Sequence, residues 1–181
     1  MSDFLVLGPS DHTKIERFSD IKEYQTWLDE LTTVCAKHFE RLFFIPDHGV
    51  YVDFAKAFLA KAGPKRVVAV LPYRQTWLID RAHKLGFSET KELNEGSGWT
   101  YLNTHFAGMA PYGLFLGYSS GSILELCSSK YLRVFENNPT TFFIDSRAIS
   151  ATLPAEIEED LADITYFDSA SKLDELLHDR L

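Results

Sequence analysis

The sequence predicts an α/β fold, a three-layer Rossmann-like parallel sheet of about five to six strands with helices on both faces. Three observations carry that prediction. Short apolar runs alternate with amphipathic stretches along the chain, the pattern of strands joined by right-handed helical crossovers. The run RVVAVLP is apolar at successive positions, as a strand covered on both faces must be. The 181 residues suit one domain, read as spanning 1–181, and are enough to bury most of its apolar surface.

The elements follow in order. FLVLG (4–8) is a strand ending in Gly8. Over 20–39, Ile21, Tyr24, Leu28, Leu31, Cys35 and Phe39 recur at steps of three and four, which is one face of a helix. RLFFIP (41–46) is the second strand. Residues 50–62 form a helix with Phe54, Phe58 and Leu59 inward, stopped by Gly63-Pro64. The third strand is 66–72, and a helix over 75–85 closes at Gly86. Residues 87–98 are polar and read as a loop or short edge element. Trp99, Leu102, Phe106 and Met109 then recur at helical spacing and read as a core stripe. The fourth strand is 112–117, followed by a helix over 121–135 and a fifth strand at 140–145. A short acidic helix near 154–161 reads as a solvated face, ITYF (164–167) as a sixth strand, and SKLDELLHDRL as a terminal helix.

Composition narrows the function classes. Hydrophobic residues make up 45% and charged residues 24%, an ordinary globular mix. A formal charge of -8 argues against an extended nucleic-acid surface, so no nucleic-acid partner is expected. It leaves room for a single nucleotide, because backbone amides hold a phosphate without help from net charge. Cys35 and Cys127 form no pair motif and read as buried thiols of a reducing compartment. The start MSDFLVLGPS has no signal-peptide pattern, and VVAVL is too short to span a bilayer. A cytoplasmic protein with no membrane partner is the expectation. The six histidines show no ligand spacing, so no metal is expected. The residues establish no cofactor, and a bound nucleotide is the one candidate.

In parallel sheets ligands bind at the carboxyl ends of strands, near the switch in strand order. GYSSGS (117–122) is the strongest such loop. Gly117 and Gly121 allow close backbone approach, Ser119, Ser120 and Ser122 add hydroxyls, and a helix starting near Ser122 aims free amides at the same spot. That chemistry suits a phosphate. The stretch Ser122-Ile-Leu-Glu125 equally fits a capping box, in which the serine caps an amide and the glutamate reaches back to the first one. Asp47 and His48 are placed to contact a ribose or act as a base, and Gly49 to open a helix toward a phosphate. The same residues also suit a plain turn. Gly8 and Ser10, after the first strand, carry the same two readings.

GVYVDFAKAFLAKAGPKRVVAVLPY (49–73) resembles the G-[LV]-M-x-A-x-x-x-G-A-x-x-x-G-G-x-V-x-G-V-x-P stretch of the LOG proteins, the cytokinin-activating phosphoribohydrolases once called lysine decarboxylases. YSSGSILE (118–125) stands where they have G-G-x-G-T-x-x-E, with Gly121, Ser122 and Glu125 at the glycine, threonine and glutamate. The wider Rossmann-like superfamily, SLOG, also holds the molybdenum-cofactor carrier proteins and DprA. The likeness covers roughly residues 4–145. It implies a nucleoside monophosphate at the strand ends and a homodimer formed through helices flanking the sheet. In the enzymes it also implies cleavage of an N-glycosidic bond with the glutamate at the ribose. Pro46-Asp47-His48 and Tyr118-Ser119 replace paired glycines of that family, and TYLNTHF (100–106) lacks its arginine.

Three functions are therefore expected in turn. The first is a SLOG-like protein holding a nucleotide or nucleotide-derived cofactor through Gly8, Ser10, His48, Gly49, Ser119, Ser120, Gly121 and Ser122. The second is an N-glycosidic hydrolase or transferase with Glu125 as its catalytic carboxylate, helped by Asp47 or His48. The third is an assembly subunit without a small ligand.

Overall fold

The computed structural model describes residues 1–15, 18, 20–94, 96, 98–136, 140–149, 151–161 and 163–181. Strands β1 (Ser2–Leu7), β2 (Phe39–Phe44), β3 (Val67–Leu71), β4 (Glu89–Glu92), β5 (Tyr112–Phe115), β6 (Thr141–Asp145) and β7 (Ile164–Phe167) form a sheet. Helices α1 (Ile21–His38), α2 (Val50–Ala62), α3 (Thr76–Lys84), α4 (Trp99–His105), α5 (Ser120–Glu136), α6 (Ala155–Glu158) and α7 (Ala170–Arg180) connect and flank it. The strand order is β4-β3-β2-β1-β5-β6-β7, and every neighbouring pair is parallel.

The predicted architecture is therefore present, with seven strands instead of five to six. The additional strand is β4, ETKE, inside the segment read as a loop or short edge element. All four residues are exposed, and their amides pair with β3 in the register Val68↔Glu89 to Leu71↔Glu92. Charged side chains on an edge strand discourage pairing with another chain, and they also erase the apolar alternation that betrays a strand.

Two cores cover the two faces. On one, Trp27 and Leu31 of α1, Phe54 and Phe58 of α2 and Leu173 and Leu177 of α7 pack over the sheet. On the other, Leu102 of α4 and Leu126 and Leu132 of α5 do so, with Phe106 just beyond α4. Aromatic rings fill the space between strands and helices. Phe4 stacks on Phe39 at 4.4 Å between ring centres and meets Phe58 edge-on at 5.3 Å. The Phe142 ring lies directly over Gly113, where a Cβ would fall 2.4 Å from it. That position accepts no side chain. No helix among the described residues is long and apolar enough to cross a membrane.

The chain steps outward from β1 through β2 and β3 to β4, then returns to the other side of β1 to lay down β5, β6 and β7. Between β1 and β5 the direction of travel reverses. The connections leaving those two strands diverge to opposite faces and open a crevice at their carboxyl ends.

Candidate functional site

That crevice holds a cleft of roughly 280 Å3, built by four segments. The β1 loop contributes Gly8, Ser10 and Lys14; the β2 end contributes Ile45, Asp47 and His48, followed by Tyr51 on α2. Trp99 and Asn103 of α4 close one side, and Ser119 to Ser122 with Glu125 form the wall at the start of α5. Of the residues predicted from sequence, Gly8, Ser10, Asp47, His48, Ser119, Ser120, Gly121, Ser122 and Glu125 all line it.

Gly49 does not. Its φ of 100° belongs to the left-handed region, and a Cβ there would lie 2.4 Å from the Pro9 carbonyl oxygen. The Val50 amide donates to the same Pro9 oxygen at 3.0 Å. Gly49 thus lets the start of α2 press onto the β1 loop instead of opening toward a ligand. The start of α2 is covered; the start of α5 is not.

The α5 loop settles the capping question. Helix α5 begins at Ser120, so Ser119 is the cap. The Ser119 hydroxyl accepts from the Ser122 amide at 3.0 Å, and the Ser122 hydroxyl accepts from the Ser119 amide at 2.7 Å. The Ser122 hydroxyl also donates to the Gly117 carbonyl at 3.0 Å. The reciprocal box exists, but between Ser119 and Ser122, three residues earlier than the Ser122–Glu125 pairing the sequence suggested. Ser122 is 1% exposed and its hydroxyl is committed to the loop. The amides of Ser120 and Gly121 have no acceptor among the described residues. Unengaged amides at the positive end of a helix have the chemistry that suits an anion.

Glu125 is consequently released from capping. It is 8% exposed, lines the cleft, and has no hydrogen-bond or ion-pair partner among the described residues. Burial pushes its carboxyl up to about 8, so it carries its proton at neutral pH. Burial likewise raises the Tyr51 phenol, with Asp47 and Glu125 adding to the rise, and a hydrogen bond with the His48 backbone and the Arg81 charge opposing it. His48 Nδ1 lies 2.7 Å from an Asp47 carboxylate oxygen, and Lys14 reaches Ser10 Oγ at 3.4 Å. Among the described residues no group of histidine, cysteine or acidic side chains is arranged to hold a metal ion.

Lys14, Ile45, Tyr51, Trp99 and Asn103 were not foreseen. Trp99 was read as part of a core stripe; it is 37% exposed, while Leu102 and Phe106 of that stripe are buried. The available signal was the spacing of Trp99 and Asn103, four apart and hence on one face of α4.

No family model and no curated protein sequence matches the chain. Among solved structures it resembles DNA processing protein A (DprA) from Helicobacter pylori, described for its single-stranded DNA binding mode. The identity is 10%, the TM-score 0.60, and the match covers 98% of this chain and 80% of that one. This is a likeness of fold, a Rossmann-like parallel sheet. It corrects the functions expected from sequence. The sequence suggests a small nucleotide ligand, a hydrolase or a ligandless subunit, and its charge argues against nucleic acid as a partner. A protein that binds single-stranded DNA resembles almost the whole chain, so that exclusion falls. Its physical fault is plain. Net charge sums over a surface on which Lys37, Arg41, Lys61, Arg147 and Arg180 are ion-paired to carboxylates, whereas Lys14, Arg74 and Arg81 have no carboxylate partner among the described residues.

Proposed function

We propose that the protein binds single-stranded nucleic acid, seating one backbone phosphate on the start of α5 and one base against Trp99. The observation that carries this reading is the pairing, in a single cleft, of two unengaged helix amides with an exposed indole. Single-strand binders combine an electropositive seat for the backbone with aromatic rings on which bases stack. The protonated state of Glu125 supports the reading, because a neutral acid can share a crevice with a phosphate and donate a hydrogen bond to it. The cleft, at roughly 280 Å3, is at or below the small end of ligand pockets, so it encloses one nucleotide unit while the rest of a strand lies outside.

Kinship with the SLOG superfamily is part of this proposal. It is supported by Gly121, Ser122 and Glu125 at a strand-to-helix turn beside the switch in strand order. So is a homodimer, supported by Leu124 and Tyr131, seven residues apart on α5 and 42% and 58% exposed; light scattering tests it. A reducing, cytoplasmic setting is supported by the two free cysteines.

Fluorescence anisotropy with labelled oligothymidylate and oligouridylate tests the function. Saturable binding at low salt is expected, and it should weaken in Gly121→Asp, which puts a carboxylate beside the phosphate seat. If neither oligonucleotide binds the wild-type protein at low salt, the reading is wrong. Few phosphates meet cations here, so the salt slope should be shallow, about -0.7 for each neutralised phosphate on a single strand.

A further inference from the structure

Beyond the cleft, along the same edge of the sheet, lies the β3 loop. It leaves β3 at Pro72 and carries Tyr73, Arg74 and Gln75 before α3 begins at Thr76. The strand order puts it one place past the β2 end that supplies Asp47 and His48. Neighbouring strands lie about 4.8 Å apart, so the loop is roughly 10 Å from the β1 loop, within reach of the next nucleotides of a strand whose phosphate sits at Gly121.

Arg74 stands out in three respects. Its φ is 56°, a left-handed conformation that a residue with a Cβ adopts only at some cost. The surroundings hold it there, since its amide donates to the Glu92 carboxylate of β4. Its guanidinium lies 4.9 Å from the centre of the Tyr73 ring, is exposed, and has no carboxylate partner among the described residues. Glu92 has engaged the backbone of Arg74 and left its charge free.

Helix α3 adds to the surface. Trp77 is 49% exposed and its indole nitrogen donates to Gln75 Oε1 at 2.9 Å, which fixes the ring. Arg81 is four residues further on, hence on the same face. The Arg81 charge is felt at the Tyr51 phenol inside the cleft, and its Nε is buried without a partner among the described residues. One face of α3 therefore runs from Arg81, whose charge reaches Tyr51 of the cleft, to the exposed indole at Trp77, with Tyr73 and Arg74 in the loop just before the helix. Alternating guanidinium groups and aromatic rings match the alternation of phosphates and bases in an unpaired strand.

We propose that Tyr73, Arg74 and Trp77 form a second nucleotide subsite, so that a bound single strand runs from the start of α5 across the β2 end onto the β3 loop. The inference rests on the single-strand reading of the cleft. Its occupant is the flanking part of the same strand, recognised by stacking and charge and not by base identity.

The test compares labelled oligothymidylates of two lengths, a dinucleotide that engages the cleft but is too short to reach the β3 loop and a chain of about a dozen nucleotides, on the full protein. Wild type should bind the longer strand about tenfold more tightly or better. Trp77→Ala and Arg74→Glu should each weaken the longer strand by about tenfold and leave the dinucleotide unchanged. Arg74→Gly separates binding from folding. It relaxes the left-handed backbone, so thermal stability should hold or rise while long-strand affinity falls. Long-strand affinity that survives in all three variants overturns the subsite and leaves the cleft standing. Equal losses at both lengths also overturn it. Absence of binding at either length removes the cleft reading together with the subsite.

Discussion

Two carboxylates are buried at the carboxyl edge of this sheet, and the protein treats them oppositely. Asp145, at the end of β6, is fully enclosed, and every lone-pair direction it offers is answered. It accepts from the Trp27 indole at 2.7 Å, from the Arg147 amide at 2.9 Å, and from the Arg147 guanidinium at 3.1 and 2.9 Å. Glu125, one helix turn into α5, has none of this. An enclosed carboxylate with a full set of donors is part of the framework, tying α1 to β6. An enclosed carboxyl with no donors is stable only as the neutral acid, and its hydrogen-bonding capacity is left for something that enters the cleft. Burial alone does not separate the two; partnership does.

The contrast breaks or sharpens by measurement. The largest effect is expected at Asp145. Asp145→Ala leaves a guanidinium and an indole N–H without their acceptor and should cost about 3–5 kcal/mol in denaturant unfolding. Oligonucleotide affinity of the folded fraction should be untouched. A cost below about 1 kcal/mol would remove the framework role.

Glu125 should respond with the opposite sign. Its folded-state value, about 8, lies above its ordinary 4.5. Between those limits the folded chain keeps a proton that the unfolded chain has lost, so stability falls as pH rises, by up to about 1.4 kcal/mol per unit. Below the lower limit the penalty is absent, and above the upper one it is complete. Glu125→Gln should flatten that slope and be the more stable protein at pH 8 by a few kcal/mol, as urea melts at pH 5 and pH 8 would reveal. Identical slopes in the two proteins would refute the neutral acid. Strand binding should follow the same proton. Wild-type affinity should drop as pH passes 8, where a carboxylate would face the phosphate among Asp47, His48, Tyr51 and Lys14, and the glutamine variant should lack that drop.

Smaller effects define the edges of the cleft. Trp99→Ala should weaken strand binding by about 1–3 kcal/mol with little loss of stability, because the side chain is partly exposed and lines the cleft. Ser119→Ala should lower stability by about 1 kcal/mol through loss of the α5 cap. A comparable stability loss in Trp99→Ala would return that residue to the core.

Much of this molecule was legible in its sequence. Six strands announce themselves as apolar runs, and the loops that follow β1, β2 and β5, which supply most of the cleft, are among those the sequence marks as ligand loops. What was hidden has local causes. ETKE carries no apolar residue, so only its pairing with β3 makes it a strand. The segment YSSGSILE offers two overlapping boxes, Ser119 with Ser122 and Ser122 with Glu125, and choosing between them requires knowing that α5 starts at Ser120. Trp99 shares the helical period of Leu102 and Phe106, but it sits at the first residue of α4, where the packed face gives way to the crevice. The error about nucleic acid has another origin. A total charge says nothing about which cations are already paired, and that information exists only once the chain is folded.

Gly49 has a mechanical consequence. With the Val50 amide bonded to Pro9 and no atom between the glycine and the Pro9–Ser10 backbone, the β1 loop and the head of α2 are interlocked like two faces of a hinge plate without its pin. They cannot swing independently. Whatever enters the crevice meets a fixed jaw on that side, and any accommodation to its shape has to come from the opposite wall, where Trp99 and Asn103 ride on a helix only seven residues long.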